Sequence, residues 1–204
     1  MAEMAPLFLV VEGLDGSGGT TQAGRLAATL RARGRAVVET CEPSPPPIGR
    51  LIRSSLRDPG LKVSDAALAW LFAGDRHDHL QQVIHPAMAA GSDVISDRYL
   101  MSSLAYQSAA VGMRRVLELN ADFPAPDLTL FLDLAPEVSL GRVLARGEPA
   151  ERFEALDRLA TVRAAYESAL AILLERGEHV ARIDASGTPD QVAAAVWSAV
   201  EARL

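Results

Sequence analysis

The chain has 204 residues, of which 49% are hydrophobic and 23% charged, so it is long enough and apolar enough to bury a core. Its net charge of −6 argues against a general nucleic-acid-binding protein, which normally presents a basic surface. A lone cysteine, Cys41, rules out an internal disulfide and fits a reducing cytoplasm, and the apolar run at residues 7–11 is too short to cross a membrane.

Short apolar runs alternate with helical patterns in the first half of the chain. The first run, LFLVVEG, ends in a glycine-rich loop, and a helix is predicted from Thr20 to Arg33 with Gly34 as its C-terminal cap. The second run, AVVETC, is followed by three consecutive prolines in EPSPPP, which break regular structure before helical spacing resumes at Ile48 to Leu56. Ser64 is then an N-cap for a helix that continues in two segments to Ala90.

The same alternation continues to the end of the chain. A third run lies in GSDVISDRY, and helices are predicted in MSSLAYQSAA and MRRVLELNADF. The fourth run, DLTLFLDL, precedes a helix that Pro136 opens and that ends near Arg146. The polar stretch GEPAERFE separates this helix from a long amphipathic one at Leu156 to Glu175. The fifth run, HVARIDA, leads to a last helix in TPDQVAAAVWSAVEARL.

Five apolar strands alternating with helices predict a doubly wound α/β fold, with a five-stranded parallel sheet covered by helices on both faces. We find no internal repeat or linker, so one domain is expected over residues 1–204. Ligands of such sheets bind beyond the carboxyl ends of the strands. EGLDGSGGTTQ, EPSPPP and DRY each follow a predicted strand, so the candidate site is expected at that edge.

The loop EGLDGSGGTTQ has nearly the spacing of a phosphate-binding loop, Gly-x4-Gly-Lys-Ser/Thr, between a strand and a helix. Its glycines let consecutive amides turn towards phosphate oxygens, and Thr20 is placed to bind Mg²⁺. Gly19 stands where the lysine is expected, so a plain glycine-rich turn remains the other interpretation. The candidate phosphate-binding residues are Gly13, Gly16, Ser17, Gly18, Gly19, Thr20 and Thr21.

Several other side chains suit nucleotide chemistry, although each also fits a structural role. Asp15 could bind Mg²⁺ or an acceptor group, or could form a turn. Arg98 could grip a phosphate with its planar fork, or could be an exposed partner of Asp97. Phe72 and Arg76, four residues apart on one helix face, could stack on a base and donate to its edge, or could be a core phenylalanine beside a solvated arginine.

Further candidates lie in the second half of the chain. Tyr106 and Gln107 could contact a sugar and a base, or could be ordinary helix residues. Arg142, Arg146 and Arg152 flank a polar loop that could close over phosphates, or could be a solvated turn. The four histidines show no metal-ligand spacing and are interpreted as core or surface residues.

In order and over almost the whole chain, these segments resemble the thymidylate kinases (dTMP kinases), a family of P-loop kinases. The segments that carry the resemblance are FLVVEGLDGSGGTTQ, EPSPPPIGRLIR, LFAGDRHDHL, HPAMAAGSDVISDRYLMSSLAYQ, PDLTLFLDLAPEVSLGR and IDASGTPDQV. The resemblance implies that ATP and dTMP react to give ADP and dTDP with the help of Mg²⁺. It also implies a cytoplasmic homodimer with no nucleic-acid or membrane partner.

The resemblance also implies individual roles. Phe72 resembles the residue that stacks on thymine, Arg76 the one that binds the base oxygen O4, and Arg98 the ligand of the dTMP phosphate. Asp15 resembles the loop carboxylate near the transferred phosphate and the sugar 3′-hydroxyl. The other matches are Ser103 and Gln107 at the base, Tyr106 beside the deoxyribose, and Glu42 with Pro43 after the second strand.

Members of the family place a catalytic arginine either directly after the loop aspartate or in a lid. Gly16 occupies the first position here, so the resemblance implies a lid at about 146–154 whose arginines Arg146 and Arg152 assist catalysis. A second departure is that Ser44 and Pro45 replace the usual Gly-Gly, which makes that loop stiffer.

The glycine at position 19 leaves two hypotheses open. In the first, the chain is an active dTMP kinase in which an arginine supplies the charge that the loop lysine normally places near the β and γ phosphates. In the second, it is a catalytically weak nucleotide-binding relative with a regulatory or structural role. The whole set of acceptor-site residues is present, which favours the first hypothesis.

Overall fold

The computed structural model of the protein describes residues 5–58, 60–145 and 152–204, with side chains described from residue 156 in the last range. Five parallel strands form one sheet, as predicted, and their order in the sheet is β2-β3-β1-β4-β5. The strands are β1 (Phe8–Gly13), β2 (Val37–Cys41), β3 (Asp93–Asp97), β4 (Leu128–Asp133) and β5 (Val180–Asp184).

The described helices follow the predicted order. They are α1 (Gly19–Ala32), α2 (Pro47–Arg57), α3 (Asp65–His79), α4 (His85–Ala89), α5 (Leu100–Val111), α6 (Met113–Leu119), α7 (Pro136–Leu144), α8 (Arg152–Glu175) and α9 (Pro189–Glu201). A π-helical segment, Leu80–Ile84, joins α3 to α4. Ser64 caps α3 as predicted, since its side chain accepts from the amide of Ala67 at 3.2 Å. No helix in these ranges is long and apolar enough to cross a membrane.

The sheet is buried on both faces because alternate residues of its central strand belong to two separate cores. Phe8 and Val10 of β1 pack in one core with residues of α5 and α8. Leu9 and Val11 pack in the other with residues of α1 and α9. The predicted arrangement of helices on both faces is therefore confirmed, and the near-continuous apolar strands have the burial expected of a parallel sheet.

Two helix boundaries differ from the sequence prediction by four residues. Helix α6 ends at Leu119, although a helix was predicted through Phe123. Helix α8 begins at Arg152, four residues before the expected start at Leu156. The intervening residues are arginine, phenylalanine, glutamate and alanine, and three of these types favour helix strongly, so their polarity did not end the helix. The part of the predicted lid from 152 to 154 is consequently helical in its backbone, while residues 146–151 lie outside the described ranges.

Candidate active site

The glycine-rich loop lies in a crevice at the carboxyl ends of the adjacent strands β1 and β3. The helix that follows β1 packs on one face of the sheet, whereas the helix that follows β3 packs on the other. Loops that leave adjacent strands towards opposite faces open a crevice, and this is where ligands of such sheets bind. The loops after β1, β2 and β3 meet at this edge, as the sequence predicts.

Gly16 and Gly18 give the loop its curvature. Their φ angles are 85° and 99°, in the left-handed region that glycine adopts without steric cost. Gly18 is the N-cap of α1 and offers no side-chain hydrogen bond to the first turn of the helix. The first amides of α1 therefore remain available as donors, and the positive end of the helix dipole favours an anion there. The loop can hold phosphate oxygens in this geometry.

Thr20 and Asp97 form the oxygen-rich side of the loop. The Thr20 hydroxyl donates to Oδ2 of Asp97 at 2.5 Å, which joins the start of α1 to the end of β3. A Cβ atom on Gly19 would lie 2.8 Å from Oδ1 of the same carboxylate, so Asp97 would have to move to accept a side chain there. Asp97 was missed as a site residue by the sequence analysis, although it directly precedes Arg98 at the end of a predicted strand.

Helix α7 closes the other side of the loop. Its Ser139 hydroxyl donates to the carbonyl oxygen of Asp15 at 2.5 Å. A Cβ atom on Gly16 would lie only 2.8 Å from the backbone oxygen of Ser139. Because backbone cannot swing aside as a side-chain tip can, α7 would have to shift to accept a side chain at position 16. This packing gives a structural reason why no arginine follows the loop aspartate in this chain.

This packing predicts a difference between two alanine variants of the loop. Both Gly16→Ala and Gly18→Ala place a side chain at a positive φ angle, but a Cβ on Gly18 would meet no atom within 4 Å. We expect Gly16→Ala to be the less stable variant by about 1–3 kcal/mol, the usual cost of overpacking. Urea unfolding of both variants without nucleotide measures this difference. Equal midpoints would show that α7 does not constrain position 16.

Arg98 is the centre of a polar cluster beside the loop. Its Nη2 donates to Oδ1 of Asp15 at 2.6 Å, and its Nη1 donates to the hydroxyls of Ser102 at 2.9 Å and Tyr166 at 3.1 Å. Burial opposes its charge, yet the neighbouring tyrosine and carboxylate oxygens hold the pKa of Arg98 well above its usual value. The residue has φ 77°, an uncommon conformation for a side chain of this size.

Glu12 contacts two hydrogen-bond partners of Arg98, namely Ser102 and Tyr166. Its buried carboxylate accepts from the amides of Tyr99 at 2.8 Å and Ser102 at 3.0 Å, and from the Ser102 hydroxyl at 2.5 Å. It therefore caps the start of α5, whose own N-cap residue makes no side-chain hydrogen bond. Burial raises the pKa of Glu12, an effect that the hydrogen bonds from Ser102 and the charge of Arg98 offset in part. Glu12 was also missed by the sequence analysis.

Tyr166 joins the cluster from the middle of α8. Its hydroxyl contacts Glu12 at 3.3 Å and the carbonyl oxygen of Gly13 at 3.0 Å. Its ring stacks on Phe131 with centroids 5.3 Å apart. Burial is the main reason why the pKa of Tyr166 lies well above its usual value. Nothing local to Tyr166 in the sequence indicates these contacts, because an aromatic residue at helical spacing is equally a core residue.

Arg76 is almost fully buried, at 1% exposure, so the interpretation of it as a solvated arginine is wrong. Its Nη2 donates to Oε2 of Glu42 at 2.6 Å and to the Ser103 hydroxyl at 3.0 Å, and its Nη1 donates to Asn120. The guanidinium also lies over the ring of Tyr99, with its Cζ 4.7 Å from the centroid. Its Nε is buried and has no hydrogen-bond partner among the described residues.

The other predicted acceptor residues lie near these two arginines. Ser103 contacts Arg76 directly, and the ring of Tyr106 lies 5.4 Å from Cζ of Arg98. The Tyr106 hydroxyl is buried and has no partner within the described ranges. Phe72 and Gln107 are half-buried, one helical turn from Arg76 and Ser103 respectively.

The proline-rich loop after β2 is held by two helices. Ser44 donates from its amide to Oδ2 of Asp75 at 2.7 Å and from its hydroxyl to Oδ1 at 2.5 Å. Burial raises the pKa of Asp75, although the hydrogen bonds from Ser44 oppose this. Arg53 of α2 donates to the carbonyl oxygens of Pro43 at 2.5 Å and Ser44 at 2.8 Å. The departure from Gly-Gly in this loop is thus accommodated by specific contacts of Ser44 with Asp75 and Arg53.

The predicted lid arginines are placed only in part. Arg142 lies on α7, where its Nη2 donates to the carbonyl oxygen of Ala185 at 3.0 Å and its Nη1 lies 3.5 Å from that of Gly16. It therefore links the phosphate loop to the loop after β5. Arg146 lies outside the described residues, and of Arg152 only the backbone, at the start of α8, is described.

Comparison with known proteins agrees with this arrangement. A family model described as thymidylate kinase matches residues 11–196. A thymidylate kinase of Xanthomonas oryzae pv. oryzae (strain PXO99A) is 42% identical over 187 residues, which cover 91% of this chain and 79% of that protein. A thymidylate kinase of Synechococcus sp. (strain JA-2-3B'a(2-13)) is 39% identical, and the match covers 97% of this chain and 96% of that protein. A thymidylate kinase of Jannaschia sp. (strain CCS1) is also 39% identical, with 98% of this chain and 99% of that protein covered. The chain belongs to the thymidylate kinase family.

Proposed function

We propose that the chain transfers the γ-phosphoryl group of ATP to dTMP, giving ADP and dTDP. The observation that carries this proposal is the 2.6 Å pair between Arg98 and Asp15 of the phosphate loop. An arginine fork at this position can hold an acceptor phosphate directly beside a donor phosphate bound to the loop. Membership of an enzyme family favours this reaction over the alternative of a catalytically weak nucleotide-binding relative.

On the donor side, we assign the phosphates of ATP to the loop from Gly13 to Thr21 and to the first amides of α1. The Thr20 hydroxyl and the Asp97 carboxylate are hard oxygen ligands of the kind that Mg²⁺ prefers. No three His, Cys, Asp or Glu side chains cluster to hold a metal within the described part of the chain. Thr20 and Asp97 would hold an Mg²⁺ ion that enters with ATP, and the ion would neutralise charge that develops on the phosphates.

On the acceptor side, Arg98 binds the phosphate of dTMP, and Asp15 lies next to the transferred group. Arg76 and Ser103 bind the edge of the thymine base, with Phe72 stacked on its face and Gln107 beside it. Tyr106 packs against the deoxyribose, where its ring would crowd a 2′-hydroxyl. The contact of Ser103 with Arg76 and the position of the Tyr106 ring beside Arg98 support these assignments, and Phe72 and Gln107 lie one helical turn from Arg76 and Ser103.

The positive charge that Gly19 cannot supply is assigned to the lid. Phosphoryl transfer depends on positioning and on charge stabilisation around the transferred group, so an arginine from another segment can replace a lysine in this role. Position 16 cannot carry it, because α7 packs against that residue. We therefore assign it to Arg146 or Arg152 of a lid at 146–154, which adjoins α7 and α8.

We further propose a cytoplasmic homodimer. Large apolar side chains are exposed on α2 and α3, namely Leu51 at 43%, Leu56 at 57% and Trp70 at 53%. An isologous contact between two copies would cover such a surface. The lone Cys41 suits a reducing compartment, where ATP and nucleoside monophosphates are available.

The proposed reaction is tested by measuring ADP formation from ATP and Mg²⁺ with dTMP, dUMP, dCMP, GMP or no acceptor. We expect fast turnover with dTMP, slower turnover with dUMP, and rates near the acceptor-free background with dCMP and GMP. Chromatography of the dTMP reaction should show dTDP in equal amount to ADP. Binding of dTMP without turnover would instead support the nucleotide-binding relative.

A further inference from the structure

His79, at the last turn of α3, is a buried histidine whose two ring nitrogens both contact protein groups. Its side chain has 0% exposure. Its Nδ1 lies 3.2 Å from Oε1 of Glu42, and its Nε2 lies 2.6 Å from the Thr40 hydroxyl. Both partners come from the end of β2 and the loop that follows it. The residue therefore links α3 to the loop that carries Glu42.

The partners of His79 determine where its proton lies. The Glu42 carboxylate only accepts hydrogen bonds when ionised, so Nδ1 must carry the hydrogen. The Thr40 hydroxyl lies within hydrogen-bond distance of Nε2, so both ring nitrogens have a partner.

Glu42 connects His79 to Arg76. One of its oxygens contacts His79, and the other accepts from Nη2 of Arg76 at 2.6 Å. A carboxylate held at one oxygen cannot rotate freely, so His79 fixes the direction in which the second oxygen meets the guanidinium. Two of the five N–H groups of Arg76, one on Nε and one on Nη1, then have no partner among the described residues, and their direction depends on how the guanidinium is turned. Site groups keep their geometry only when supporting residues hold them in this way.

We propose that His79 is a positioning residue that sets the orientation of Arg76 through Glu42, and thereby the discrimination between pyrimidine bases. This inference rests on the proposed function, in which Arg76 binds the 4-oxygen of thymine. Cytosine carries a donating amino group at the same position, so a correctly aimed arginine donor favours thymine. A misdirected Arg76 loses this preference, although the phosphate loop and Arg98 are unaffected.

Two amide variants of His79 separate this role from simple packing. In His79→Asn the amide nitrogen lies near the position of Nδ1 and can still donate to Glu42, while the contact with Thr40 is lost. In His79→Gln the longer side chain reaches towards Thr40 and leaves Oε1 of Glu42 without its donor. The two variants bury similar polar groups and are therefore matched in chemistry, and each breaks one of the two contacts.

The kinetic constants of both variants should differ in a defined way. We expect His79→Gln to raise the KM for dTMP about tenfold and to lower the ratio of kcat/KM for dTMP over dCMP about tenfold, the effect of losing one hydrogen bond to a charged group. Its KM for ATP should not change. His79→Asn, and Thr40→Val as a control for the lost hydroxyl, should keep the wild-type ratio within about threefold.

Equal losses in His79→Asn and His79→Gln, in proportion to lowered thermal stability, would show that the histidine is merely structural. Unchanged constants in both would show that Glu42 orients Arg76 without it. If His79→Gln does not fold, Glu42→Gln tests the same link, since it keeps the shape of the side chain and should reduce the same ratio; an unchanged ratio there overturns the proposal. Failure of the proposed function itself is seen separately, as absent dTMP turnover in the wild type.

Discussion

Replacing Arg98 with alanine is expected to lower kcat/KM for dTMP at least about 10²-fold, the usual effect of removing one preorganised donor at a site of charge development. Arg98 donates to Asp15, Ser102 and Tyr166, and it is the one side chain that we place against the acceptor phosphate. The KM for dTMP should rise and kcat should fall, whereas the affinity for ATP measured by calorimetry should change little. Arg98→Lys keeps the charge without the fork and should fall between wild type and alanine.

The backbone at Arg98 offers a control that separates stability from chemistry. Since φ is 77° there, Arg98→Gly relieves strain that Arg98→Ala retains. The glycine variant should therefore be more stable than the alanine variant by about 1–2 kcal/mol, as left-handed conformations imply. Both should be equally inactive if the guanidinium is what matters. Activity that follows the order of thermal stability, with the glycine variant partly active, would contradict the role assigned to Arg98.

The lid arginines should produce the second large effect. We expect Arg146→Ala or Arg152→Ala to lower kcat by about 10²–10³-fold, because one of them replaces the charge of the absent loop lysine. The affinity for dTMP should stay close to that of wild type, since Arg76 and Arg98 bind the acceptor. Steady-state kinetics with saturating ATP and dTMP measure both quantities.

A matched control for these variants is Arg158→Ala. Arg158 lies further along α8 and is exposed, so its loss should leave kcat unchanged. The double variant of Arg146 and Arg152 shows whether the two act together, since residues that act as a unit are not additive. If neither single variant nor the double variant lowers kcat by more than a few-fold, the positive charge comes from elsewhere in the chain.

The sequence predicted the sheet well because a parallel sheet buried on both faces leaves a strong local signal. Five apolar runs, each bounded by glycine, proline or polar residues, gave all five strands of the sheet. The start of α8 was less well predicted, because Arg152 and its neighbours are polar without being poor helix formers. The amphipathic pattern begins at Leu156, whereas the helix itself begins at Arg152.

The candidate site was predicted from motifs, and the residues that support it were missed. Glu12 and Tyr166 are separated by 154 positions in sequence, and nothing local to either indicates that they touch. Arg76 stands four residues after Phe72, a spacing that did not reveal that the arginine is the more buried of the two. Its burial depends on Glu42 and Asn120, which come from other elements. Contacts of this kind follow from tertiary packing, so residue patterns alone do not give them.

The central claim is that this chain is an active kinase and that the positive charge of the missing lysine comes from outside the phosphate loop. Comparing the kcat of wild type with the kcat of Gly19→Lys tests this claim most directly. Gly19→Met serves as the control, since it brings similar bulk against Asp97 without a charge. We expect turnover of the wild type with dTMP and a gain of less than about threefold from the lysine, because an arginine already fills its role. A gain of about 10²-fold or more, the usual worth of one such donor, would show that the charge is missing and contradict the account.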